Sequence, residues 1–152
     1  MKKAFLHPQE IEVFYVLPSL RKYLALALKS RGMKQKDIAV ILGITPATIS
    51  QYASAKRADH IRFTPEVLAQ IQASAEKVKD RLSYLRETQH LLHFIRSSKA
   101  LCQIHKLFSE VPDACDPLHV GCHRVSTPQI QKSVLIPPHI EKSSLIHLSS
   151  TS

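Results

Sequence analysis

With 152 residues, 44% of them hydrophobic, the chain has material for one compact domain and an appendage, an ordinary balance for a globular protein. No apolar run approaches the roughly 18 residues a bilayer span needs; the nearest, residues 23–28, is far shorter, and Met1-Lys2-Lys3 leads into no signal-peptide core, so we expect a cytoplasmic protein with no membrane partner. A formal charge of +9 invites a polyanion, while three cysteines, an odd and small number, exclude a disulfide framework and point to reduced thiols or metal ligands.

The elements follow in chain order. From Pro18, the positions Leu20, Leu24, Ala27 and Leu28 recur at helical spacing, and Gly32 supplies a stop. Gln35 to Leu42 places Ile38, Ala39, Ile41 and Leu42 on one side of a second helix, which Gly43-Ile44 breaks; Thr45-Pro46 then restarts a third as N-cap and first helical residue. Thr64-Pro65-Glu66 gives the same start signal, and the pattern predicts one long helix running to about Arg96. Residues 99–123 begin helical and break around Pro112 and Pro117. Residues 124–152, rich in Ser, Pro and His without periodicity, read as a disordered tail, with Val134-Leu135-Ile136 as a short strand or docking peptide in the competing reading. The fold class is thus all-α: a helical unit over 1–60, a helical dimerisation or regulatory region over 61–123, and the tail.

The unit over 1–60 is read from its second and third helices. Two short helices joined by a tight turn containing a glycine form a helix-turn-helix. Ala39 is small where the third helix crosses, Gly43 accepts a positive φ, and Ile44, Ile49 and Tyr52 fill the wedge. The remaining face carries Ala47, Thr48, Ser50 and Gln51, small methyl groups, hydroxyls and an amide suited to base edges in the major groove. Charge agrees: residues 1–60 hold ten Lys and Arg against four Asp and Glu, residues 61–123 eight against seven. Lys34, Lys36, Lys56 and Arg57 would meet phosphates. The competing reading is a plain helical hairpin with Gly43 as a C-cap.

Residues 10–57, EIEVFYVLPSLRKYLALALKSRGMKQKDIAVILGITPATISQYASAKR, resemble the Cro/C1-type (XRE-like) helix-turn-helix transcriptional regulators, and most of all a prokaryotic, largely archaeal branch with an E-V-x-Y-V-L-P-x-L-R lead-in. The resemblance covers about a third of the chain. It implies that Gln35 clamps a phosphate, that Thr45, Ala47, Thr48, Ser50 and Gln51 read bases, and that Lys56 and Arg57 flank the backbone. Ala55 stands where the branch usually has glycine. The branch often carries cysteines after the long helix, and LCQIHKLFSEVPDACD is recognisable as that segment, but Leu92 and Leu118 occupy two of its usual cysteine positions.

Cys102 and His105 share one helical face, and Cys115 with His119 or Cys122 would close a tetrahedral zinc site across the proline-containing loop, with His123 as a further donor. No paired C-x2-C knuckle is present. Cys102, between Leu101 and Ile104, reads equally as a small apolar residue, and His119 and His123 as solvated. A redox-sensitive thiol is a third reading, and no cofactor is required by the DNA-binding function. Catalysis is not expected: Cys102 and His105 lack an orienting third group, and three glycines provide no phosphate-cradling loop.

Leu68, Ile71, Ala75, Val78, Leu82 and Leu85 follow the spacing of a helix seam, predicting a homodimer through the long helix; packing of this stripe on the first helix of the same chain is the alternative. The reading is a dimeric repressor binding double-stranded DNA, against an antitoxin-like or adaptor protein whose C-terminal half binds a partner protein.

Overall fold

The computed structural model describes residues 3–54 and 61–122, and these residues are all-α, with no strand among them. The elements are α1 (Pro8–Ile11), a π-helical turn (Glu12–Val16), α2 (Leu17–Ser30), α3 (Gln35–Leu42), α4 (Pro46–Ala53), α5 (Pro65–Lys77), α6 (Arg81–Ser97), α7 (Ala100–Phe108) and α8 (Pro117–Val120). Among them no helix is long and apolar enough to cross a membrane. Lys56, Arg57, Ala55, His123 and the tail 124–152 lie outside the described residues.

The first helix starts ten residues before Pro18. A proline inside a helix has no N–H to give and its ring presses on the carbonyl four residues back. The chain accommodates Pro18 with a π turn just ahead of it, in which the Leu17 N–H donates to the Glu12 carbonyl five residues away. α2 then serves as the hub: it packs against α3, α4 and α5, while α6 lies against α5, α3 and α7, and α7 returns to α1. Leu20, Leu24 and Leu28 of α2, Ile38 of α3, Ile49 of α4, Val67 and Ile71 of α5, and Leu91 and Ile95 of α6 are buried in one continuous core. Each such side chain contributes about 1.5–3 kcal/mol on leaving water.

The expected single helix from Pro65 to Arg96 is two helices. Val78 is extended, at φ −76° and ψ 115°, and Asp80 caps a new start at Arg81. The Asp80 carboxylate accepts the Ser83 N–H at 2.7 Å, and the Ser83 hydroxyl oxygen accepts the Asp80 N–H at 2.9 Å, a reciprocal box that satisfies amides the helix start would otherwise leave open. The break also corrects the dimer seam. Ile71, Ala75 and Val78 are turned into the core, whereas Leu82 and Leu85 are 71% and 57% exposed. The stripe is therefore not one face, and its α5 portion packs on α2, as in the intramolecular alternative.

Contacts far apart in sequence close the molecule. Glu12, buried in the π turn, holds Arg96 of α6 through two parallel N–H···O bonds. That carboxylate pushes the Arg96 guanidinium above its already high ordinary value, first through the hydrogen bond itself. Tyr15 stacks on Phe108 at 4.1 Å. The Leu6 N–H donates to the Ser109 hydroxyl at 2.9 Å, and the Glu110 N–H donates to the Ala4 carbonyl at 3.1 Å.

Candidate nucleic-acid interface

The turn between α3 and α4 is built as its residues dictate. Gly43 sits at φ +65°, left-handed, and ends α3, while the Ile44 N–H donates back to the Ala39 carbonyl at 3.0 Å. An added Cβ at Gly43 would meet nothing within 4 Å, so glycine is required by the backbone angle and not by space. Thr45 then caps α4: its hydroxyl oxygen accepts the Thr48 N–H at 3.1 Å, and Pro46 occupies the first turn where no donor is needed.

α4 divides cleanly into two faces. Ile49 and Tyr52 are buried with Ala39 of α3, and Ile44 is half-buried beside them. Thr45, Ala47, Ser50 and Gln51 are exposed, and Thr48 is half-buried. Hydrogen bonding inside the helix limits what each polar group can offer. The Thr45 and Thr48 hydroxyls lie 2.9 Å apart and share a proton. The Ser50 hydroxyl donates to the Pro46 carbonyl at 3.3 Å, so as bonded it presents an acceptor outward. The Gln51 amide makes no hydrogen bond with the described residues, which leaves both its donor and its acceptor for a partner, the set that matches adenine edge-on.

At the start of α3, Lys34 is the N-cap without a side-chain cap bond, so among the described residues no side chain claims the first-turn amides. Gln35, half-buried, follows it, and Lys34 and Lys36 are exposed. Asp37, in the first turn, complements the helix dipole. α3 and α4 pack on each other and both pack on α2, so one rigid unit carries Lys34, Gln35, Lys36 and the outer face of α4.

Cys102, His105, Cys115 and Cys122 all line a single cavity between residues 5–8, α7 and the segment 111–122. They do not converge. Among the described residues no three His, Cys, Asp or Glu side chains form a group that could hold a metal ion, and the His105 Nε2 is directed at the Leu6 carbonyl, 2.7 Å away. Cys102 is half-buried and not sealed in the core; burial, then the charges of Cys122 and Cys115, push its thiol above the ordinary range. His119 is 89% exposed and pairs with Asp116 at 2.7 Å. The cavity itself escaped the sequence reading, because its wall is assembled from stretches about 100 residues apart in the chain.

A family model described as Helix-turn-helix matches residues 24–59, the span from α2 through α4 and beyond. No curated protein and no solved structure matches the chain.

Proposed function

We propose that this chain, whose residues 24–59 match the helix-turn-helix family model, is a DNA-binding transcriptional regulator of the Cro/C1 type, and that it is a sequence-specific repressor that binds duplex DNA as a homodimer in the cytoplasm. The observation that carries the reading is the division of α4, with Ile49 and Tyr52 inside and Ala47, Ser50 and Gln51 outside. The small outer side chains let the helix approach base edges closely, and Gln51 supplies an amide that makes no hydrogen bond among the described residues. Thr45 and Thr48 contribute a hydroxyl pair at the helix start. Lys34, Gln35 and Lys36 hold the phosphate backbone at the start of α3, and Lys56 and Arg57, which follow α4 in the sequence, add to the phosphate contacts. Repression follows from occupancy alone, since blocking a promoter requires no further contact surface.

The dimer uses what the folded stripe leaves outside. Leu82 and Leu85, with Val40 of α3 at 58% exposure, lie on α6 and α3, two elements in mutual contact, where Arg81 Nε donates to the Val40 carbonyl at 2.9 Å. A second copy covering these residues would join two DNA-reading units close to their α3 helices. Zinc is not needed for this function; a site at Cys102, His105, Cys115 and Cys122 would require the four to close in from their present positions. Mobility-shift titration of a bound duplex over a range of salt tests the proposal. Affinity should fall linearly on a logarithmic plot, and Lys36→Ala should weaken all duplexes alike and reduce the slope by about one. Salt-independent binding would remove the phosphate assignment.

A further inference from the structure

The cavity beside α7 has a volume of about 640 Å³, within the range of small-molecule sites. Most of its wall is apolar, including Phe5, Pro8, Val111 and Val120, and among the described residues every formal charge on it is positive: Lys99 and Lys106 contribute to the lining, and no Asp or Glu does. Cys102 adds to the apolar character, because a thiol pushed above its ordinary range stays protonated near neutral pH. Lys99 is also the one non-glycine residue with positive φ among the described residues, at +63°. That conformation disfavours a side chain with a Cβ, and residues held in it cluster at ligand sites. Here it turns the chain sharply from α6 into α7 at the edge of the cavity.

We propose that this cavity binds a small amphipathic anion, an ionised medium-chain or aromatic carboxylic acid, with its apolar part against Phe5, Pro8, Val111 and Val120 and its carboxylate toward Lys99 and Lys106. An apolar wall with cations and no anions selects such a ligand over a neutral one of the same shape, and rejects a cation by repulsion. The occupant would bridge the segment leading into α1 and the helix α7 that clasps it.

The three cysteines on the wall serve as reporters. The full chain is titrated with 1-anilinonaphthalene-8-sulfonate, a fluorescent apolar anion, which decanoate and decylammonium then compete to displace, while iodoacetamide alkylation of Cys102, Cys115 and Cys122 is followed by mass spectrometry. Decanoate should displace the dye at one site per chain and slow alkylation; decylammonium should do neither. Lys106→Glu, at an exposed position, should weaken decanoate at least tenfold, and Lys99→Gly, which keeps the backbone conformation while removing the cation, should also weaken it. Thermal melts without ligand establish that both variants are folded. Equal competition by decylammonium would reduce the site to an apolar cleft and overturn the proposal. So would the absence of any one-to-one binding, the result expected of a cavity filled by the chain itself, or decanoate binding that leaves alkylation unchanged.

Discussion

Gly43 and Arg96 mark the two ends of what single residues disclose. Gly43→Ala should cost about 0.5–1 kcal/mol in chemical denaturation, the left-handed strain less the chain entropy that alanine spares, with no steric contribution, because nothing stands within 4 Å of the added methyl; an unchanged midpoint would show that the turn relaxes. This position was legible in the sequence because a glycine between two apolar-periodic segments has a local meaning. Arg96 had none, since its partner Glu12 is 84 residues away. The pair is asymmetric: Glu12 is 5% exposed while the Arg96 side chain is 45% exposed. Removing Arg96 strands a buried carboxylate, so Arg96→Ala should destabilise by about 3 kcal/mol. Glu12→Ala should cost less, about 1–2 kcal/mol, because water still screens the arginine left behind. Equal effects in urea unfolding would contradict this order. Lys99→Gly should raise stability by roughly 0.5–1 kcal/mol, the relieved strain less the added freedom of the unfolded chain.

Helix starts were read correctly wherever Thr-Pro announced them, at Thr45-Pro46 and Thr64-Pro65, because cap and first-turn proline act locally. The start at Asp80 was missed. Leu82 and Leu85 continue the apolar spacing of α5 without interruption, and serine replaces the more familiar Glu or Gln at the third position of the box. Two outcomes separate the broken helix from a continuous one. Val78→Glu would place a charge at a position 3% exposed, so it should unfold the chain, at about 3 kcal/mol or more; Leu85→Glu should leave the chain folded and act on the dimer in sedimentation, lowering the melt only by the stability that association adds. Asp80 adds a pH signature. The Ser83 N–H and hydroxyl hold its carboxyl below the ordinary 3.8, so its contribution is complete above 3.8 and is lost as pH falls through the lower folded value. The difference in melting point between the wild type and Asp80→Ala should be constant near neutral pH and narrow only in strong acid.

At the scale of the whole molecule, the helix-turn-helix match at residues 24–59 falls in the half where the basic excess lies, and the fold class followed from periodicity. Neither charge nor periodicity reached the arrangement of the C-terminal half. One core runs from α1 to α7, and the contacts that close it, Glu12 with Arg96, Leu6 with Ser109 and His105, and Tyr15 on Phe108, join stretches that no local pattern relates. The cavity and the separation of the four candidate zinc donors follow from that closure and were not legible beforehand. In the proposed dimer the same rigidity would fix α4 relative to the second copy, presenting two reading helices roughly 34–36 Å apart, matched to half-sites about one DNA turn apart. Selection of bound sites from random duplex DNA, run in parallel with the wild type and Gln51→Ala, tests the central claim that the outer face of α4 reads sequence. The account predicts a two-fold symmetric site for the wild type and, for Gln51→Ala, loss of preference at one position in each half-site, by about 1–3 kcal/mol if the amide pairs through two bonds. An unchanged profile for Gln51→Ala, or no enriched sequence for either protein, would contradict it.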